Sequence, residues 1–134
     1  MIVMKRFLIC LLLLCVMLCS CAERGNVSLA VTEKVSSGIY TEREIDEAIE
    51  EAMAYFKRNF NGCTLTSISY AGDEKTADWS DRYDDSEVIV LTSSFLTGPQ
   101  AGDGSLNPND VYTKWMWILV RTPGGRWKHA DHGY

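Results

Sequence analysis

The chain is 134 residues long, with 13 basic against 18 acidic side chains and a formal charge of −5. That length accommodates one domain. The acidic balance repels phosphate backbones and excludes nucleic acid as a natural partner.

The first stretch is not expected to belong to the mature domain. Lys5 and Arg6 precede an apolar run from Phe7 to Leu18. A basic start followed by such a run is the pattern of a secretory signal. It is shorter than the about 20 residues that a membrane-spanning helix needs. The signal is expected to cover residues 1–20. It ends in Leu18-Cys19-Ser20-Cys21, which resembles the bacterial lipoprotein box. In that box an aliphatic residue and two small ones precede the cysteine that is acylated and becomes the N-terminus. Cys21 fits that role, whereas Cys19 would follow the bulky Met17 and Leu18. The expected partner is therefore the membrane, through acyl groups (palmitate among them) at Cys21. The expected location is the extracytoplasmic face of a bacterial cell membrane. Loss of Lys5 and Arg6 leaves 11 basic against 18 acidic side chains, a formal −7. No basic cluster follows Cys21 in sequence, so membrane contact is expected from the acyl group and not from a protein face. Cys10, Cys15 and Cys19 leave with the signal, and Cys63 is the one thiol left free. An internal disulfide is then impossible even in an oxidising compartment. Cys63 has no cationic neighbour in sequence to activate it and reads as a small buried apolar residue.

Residues 21–38 are expected to form a polar tether, with Val27–Val35 as an alternative edge strand. Thr41-Glu-Arg-Glu44 is a capping box, in which hydroxyl and carboxylate satisfy the first free amides of a helix. Ile39 and Ile45 are placed to form a hydrophobic staple around it. Ile45, Ala48, Ile49, Ala52, Met53, Phe56 and Phe60 then fall on one helical face. Acidic residues crowd the start and Lys57 and Arg58 the end, as the helix dipole favours. Asn61-Gly62 stops the helix. A strand is expected over Leu65–Ala71, an acidic loop with Trp79 and Tyr83 over Gly72–Ser86, and a strong strand over Glu87–Thr97. A turn-rich loop, Gly98–Asp110, leads to the final hairpin. That hairpin runs from Val111 to Tyr134 around Thr122-Pro-Gly-Gly125 and holds Trp115, Trp117 and Trp127. Its β-branched and aromatic residues, bounded by Pro and Gly, are a hairpin signal. The predicted fold is α+β: one N-terminal helix packed on a curved four-stranded antiparallel sheet, with strands in meander order. The domain proper is expected over residues 39–134.

Trp115-x-Trp117-Ile-Leu-Val-Arg121, a glycine turn, then Trp127-Lys-x-x-Asp131-x-Gly133-Tyr134 resembles the closing hairpin of cystatin-like, nuclear-transport-factor-2-like domains. More narrowly, with Ile45-x-x-Ala48, Cys63-Thr-Leu65, Val88-Ile-Val-Leu91 and Gly104-Ser-Leu-Asn107, it is similar to uncharacterised small lipoproteins of gut Firmicutes. The resemblance covers residues 40–134 and implies the cystatin-like fold. It departs at His129 and His132, where that group has an apolar and an aromatic residue. The superfold hosts isomerases, dehydratases and non-catalytic binders, so it does not choose a function.

The chemistry-bearing residues are few. On a regular strand His129 and Asp131 share a face and His132 points away. Two ligands per face fall short of the three or four that a metal needs. His129, His132 and Asp103 are thus weak metal candidates. Asp103-Gly-Ser105-Leu-Asn107-Pro-Asn109-Asp110 spaces oxygen donors as calcium loops do, but lacks their Gly and bidentate Glu. The residue run Asp78–Glu87 is a further weak cation candidate. Asp131 is the weak catalytic candidate, and hairpin register decides it. If Thr122 pairs with Trp127, Asp131 lies opposite Ile118 and His132 opposite Trp117. If Arg121 pairs with Trp127, Asp131 meets Trp117, where desolvation would raise its pKa toward that of a base. The turn permits both. Strand residues 115–120 are apolar on both faces, and one helix covers only one of them. Trp115, Trp117, Trp127 and Tyr134 are therefore the candidate binding residues, with a protein partner or a second copy on the sheet. The functional expectation is a non-catalytic lipoprotein that binds a ligand or protein, without a cofactor. The alternative is a small lyase or isomerase with a pocket in the cone of the fold.

Overall fold

The structure is a computed structural model, and the residues it describes are 3, 24–84, 86–101 and 104–134. The expected signal (Val3 apart), the lipidation site Cys21, and Asp103 lie outside them. The fold is α+β. Helix α1 spans Glu42–Asn59 and strand β1 Cys63–Tyr70. A second helix, α2, spans Asp73–Ser80, and strands β2, β3 and β4 span Glu87–Thr97, Val111–Arg121 and Lys128–Gly133. The four strands form one open antiparallel sheet in the order β1-β2-β3-β4.

Helix α1 begins where the capping box places it. Thr41 Oγ1 accepts from the Glu44 amide at 3.2 Å, and the Glu44 carboxylate accepts from the Thr41 amide at 2.8 Å. Ile45, Ala48, Ile49, Ala52 and Phe56 are buried along one face. They meet Leu65, Ile68, Ile89, Leu91, Phe95, Trp117 and Leu119 from the sheet. Burial of each large apolar side chain contributes roughly 1.5–3 kcal/mol. The expected staple does not hold its first partner inside: Ile39 is 57% exposed. Tyr40 packs instead, edge-on to Trp127 and Tyr70, with its hydroxyl donating to the Val88 carbonyl at 2.6 Å.

The acidic loop expected over Gly72–Ser86 is in part helix α2. Gly72, at φ 102, turns the chain out of β1. Asp73 then anchors the helix start by accepting from Ser37 Oγ at 2.6 Å, the Gly38 amide at 2.7 Å and Tyr70 Oη at 2.7 Å. The buried Thr76 hydroxyl accepts from the Val90 amide at 3.2 Å. Trp79 and the following Tyr83 pack against Val88, Val90, Ile118, Met116 and Val120 on the sheet face that α1 leaves uncovered. A second apolar face on β3 thus has an intramolecular cover. The Gly98–Asp110 loop lies on the other side, where Ala101 and Leu106 join the α1 core.

Residues 24–38 are not a free tether. The Gly25 amide donates to the Lys57 carbonyl of α1 at 3.2 Å. A side chain at Gly25 would run into the Phe56 carbonyl, so only glycine sits there. Asn26 and Val31 then make parallel bridges to Thr64 and Ser67 along the free edge of β1. These bridges are isolated, so the segment is a pinned strap and not the alternative edge strand. Among the described residues no helix is long and apolar enough to cross a membrane.

Candidate functional site

The hairpin uses both registers that the turn allows. Val120 pairs with Lys128 and Leu119 with His129, the pairing that continues from Arg121 opposite Trp127. Beyond a bulge, Ile118 pairs with Asp131 and Trp117 with His132, the other register. Ala130 is the extra residue. A bulge of this kind re-aims the side chains that follow it. Here it turns His132 to the α1 side together with His129, against the regular-strand expectation, and puts Asp131 opposite Ile118 on the other face. Asp131 is exposed, and its carboxylate accepts from the His132 amide at 2.8 Å. It is not among tryptophans, which removes the environment that would have made it a base.

His129 Nε2 and His132 Nδ1 are 2.9 Å apart, so one donates to the other. The His129 ring stacks on Tyr55 of α1 at 3.8 Å and 17°. The His132 ring lies 5.3 Å from Phe60 and 5.7 Å from Trp115. Burial pushes both imidazole pKa values below 6.5, and for His129 the adjacent His132 adds to the push. Burial thus favours the neutral form of both rings. Among the described residues no three His, Cys, Asp or Glu side chains converge as metal ligands. Asp110 is occupied within its own loop, accepting from the Val111 amide and from Asn107 Nδ2.

His132 closes one side of a cavity of about 320 Å³ lined by Tyr55, Asn59, Phe60, Ser105, Leu106, Trp115 and His132. It lies where α1 and β4 finish and β3 begins, under the loop before β3. That volume is at the small end of the range for small-molecule sites. Its lining mixes rings (Tyr55, Phe60, Trp115, His132) with polar groups from Asn59 and Ser105, and holds no formally charged side chain. The Trp115 indole N–H is buried and has no hydrogen-bond partner among the described residues. An unpaired buried donor is costly unless something accepts from it. A ligand that suits this lining is uncharged and has a flat face for the rings.

The other candidate residues divide between core and surface. Trp117 is fully buried and donates from Nε1 to Ser93 Oγ at 2.8 Å. Trp127 is 5% exposed and donates to the Glu44 carbonyl at 2.9 Å. Tyr134 is 73% exposed, its ring 5.3 Å from Trp115. Only Trp115 and His132 of the sequence candidates line the cavity. Tyr55, Asn59, Phe60 and Leu106 went unnoticed because their assembly depends on the bulge and the loop. The legible trace was Tyr55 and Asn59, one helical turn apart beside the core face.

At the opposite end, Arg121 joins the elements. Its guanidinium donates to Glu44 and Glu87, each at 2.6 Å, and lies 4.1 Å over the Trp127 ring. A separate groove of about 840 Å³ lies between the strap and the first half of α1. It is lined by the strap itself and carries no buried unpaired donor. Cys63 is 1% exposed, and burial raises its thiol pKa, as suits an inert side chain. No family model matches the chain, and neither a curated protein nor a solved structure matches it.

Proposed function

We propose that the protein is a non-catalytic, lipid-anchored binding module of the extracytoplasmic membrane face, built on a cystatin-like domain with α1 cradled by a curved sheet. Its ligand is a small neutral molecule held in the Trp115 cavity. The observation that carries this reading is a cavity bordered by the rings of Tyr55, Phe60, Trp115 and His132, with no formally charged side chain in its lining. The expected mature chain begins at an acylated Cys21. The uncharged solvatochromic amine N-phenyl-1-naphthylamine probes the cavity. It should fluoresce with the wild-type protein and saturate at micromolar concentration. Filling the cavity by Leu106→Trp should abolish the signal. A signal unchanged by Leu106→Trp would place the probe elsewhere and remove the site.

A second reading, a small lyase or isomerase, has one observation in its favour. His132 borders the cavity and is hydrogen-bonded to His129. If His132 Nδ1 carries the shared proton, its Nε2 is left as a base; the other tautomer leaves Nε2 a donor. That reading replaces Asp131 by His132 as the proton acceptor. It requires turnover that vanishes in His132→Gln with probe binding intact.

A further inference from the structure

The strap and the cavity belong to the same end of the body. Gly25 is fixed to the last turn of α1 through the Lys57 carbonyl, and Asn26 to the start of β1 through the Cys63 carbonyl at 2.9 Å. Asn59 and Phe60 on that same turn of α1 line the cavity. If Cys21 carries the anchor, two residues lie between it and Arg24, three Cα steps or at most about 10 Å of extended chain. The body then has no room to stand away from the bilayer. Whatever is exposed at this end meets the headgroups.

The exposed side chains there suit that contact. Leu96 and Val111 are cross-strand partners at the ends of β2 and β3, 43% and 61% exposed. Tyr134, 73% exposed, follows the end of β4. Arg24, Lys57 and Arg58 are exposed and are gathered by the Gly25–Lys57 bond, although the sequence spreads them over 35 positions. Arg58 has only a long 3.9 Å contact with Glu51. Among the described residues of the loop at this end, the acid Asp110 is engaged by Val111 and Asn107. Aromatic and apolar groups flanked by basic ones are the composition of an interfacial surface. Cations held within a Debye length of anionic lipid are attracted to it.

We propose that this end is a membrane-contacting face, with Leu96, Val111 and Tyr134 at the acyl boundary and Arg24, Lys57 and Arg58 on lipid phosphates. The inference rests on the lipid anchor at Cys21 and amends the expectation that no protein surface touches the membrane. It also sets the cavity at headgroup depth, so its ligand comes from the membrane surface and not from bulk water.

The test uses the full acylated chain in vesicles of phosphatidylethanolamine and phosphatidylglycerol. Nitroxide labels go on Lys57→Cys, on Val111→Cys and, at the far end, on Arg126→Cys. The buried Cys63 does not compete for label. Labels at 57 and 111 should collide with an aqueous nickel chelate at least about threefold less often than the label at 126, and more often with lipid-dissolved oxygen. Equal or reversed collision rates on an acylated chain overturn the face and leave the anchor and the cavity standing. A mature chain whose mass lacks acyl groups overturns the face together with the anchor. The naphthylamine assay, run in detergent, reads the cavity independently of both.

Discussion

Two tryptophans separated by one residue on β3 do different work. Trp117 has a satisfied N–H and no exposure, whereas Trp115 has an unsatisfied one. Trp117→Phe loses packing and leaves Ser93 without its donor, so it should cost about 2–4 kcal/mol of unfolding free energy. Trp115→Phe removes a donor that nothing accepts from, and the relief offsets most of the lost contact. It should change stability by less than about 1 kcal/mol while weakening probe binding through loss of ring contact. Denaturant midpoints of the two variants decide this, and equal losses would mean that the Trp115 donor is satisfied after all. The histidines are a further matter of single residues. Their pKa values in the fold lie below 6.5 because burial disfavours the cation. Above that pH both folded and unfolded chains hold them neutral and no penalty arises. Below it the unfolded chain takes up protons that the folded chain resists, so stability falls with pH until the lower folded values are passed. The carboxyls of Glu44 and Asp73 act later. Thr41 and Arg121 lower the first, and Ser37, Gly38 and Tyr70 the second. Their stabilisation is kept above 4.5 and 3.8 and lost as pH falls beneath those values. The melting temperature should therefore begin to fall as pH drops below 6.5, and His132→Gln should flatten that limb.

At the scale of elements, what the sequence disclosed depended on whether the signal was local. The capping box set the start of α1 to within a residue, and the apolar run set β2 and β3 at their observed bounds. β1 starts at Cys63, two residues ahead of the expected Leu65, because Asn61-Gly62 turns the chain directly into it. Helix α2 was hidden by its acids. Only Thr76 and Trp79 carry its inward face, with Tyr83 just beyond its end, too few to stand out from a charged loop. The hairpin register was not recoverable, since both pairings satisfy the turn and a bulge at Ala130 lets each hold on its own side. The strap was hidden because two isolated bridges need no apolar alternation. Two predictions belong here. Arg121→Ala leaves Glu44 and Glu87 facing each other without their shared cation and bares Trp127. It should cost about 2–3 kcal/mol, moderated because both carboxylates reach solvent, and Arg121→Lys should recover only part of it. Thermal unfolding of both variants checks this. Gly25→Ala should detach the strap without unfolding the sheet. Hydrogen exchange at the Asn26 and Val31 amides should rise while β2 and β3 stay protected. Protection that survives there would show that the strap is not held at Gly25.

For the molecule as a whole, the sheet separates two ends with different chemistry. One end is an ion-paired, capped junction in which Arg121, Glu44, Glu87, Tyr40 and Trp127 fix α1 to the strands. The other is aromatic, holds the cavity, and receives the chain from its N-terminal side. Architecture in meander order was legible from the succession of elements. The cavity was not, because its walls come from α1, β3, β4 and the 98–110 loop, and only the fold brings these together. The account's central claim is that this cavity is a binding site with the Trp115 ring in its wall. The most direct measurement is the ¹H–¹⁵N spectrum of the tryptophan indoles during titration with N-phenyl-1-naphthylamine. The account predicts that the Trp115 resonance moves progressively to saturation while those of Trp117 and Trp127 hold still. A Trp115 resonance that stays in place, or four resonances that move together, would contradict it.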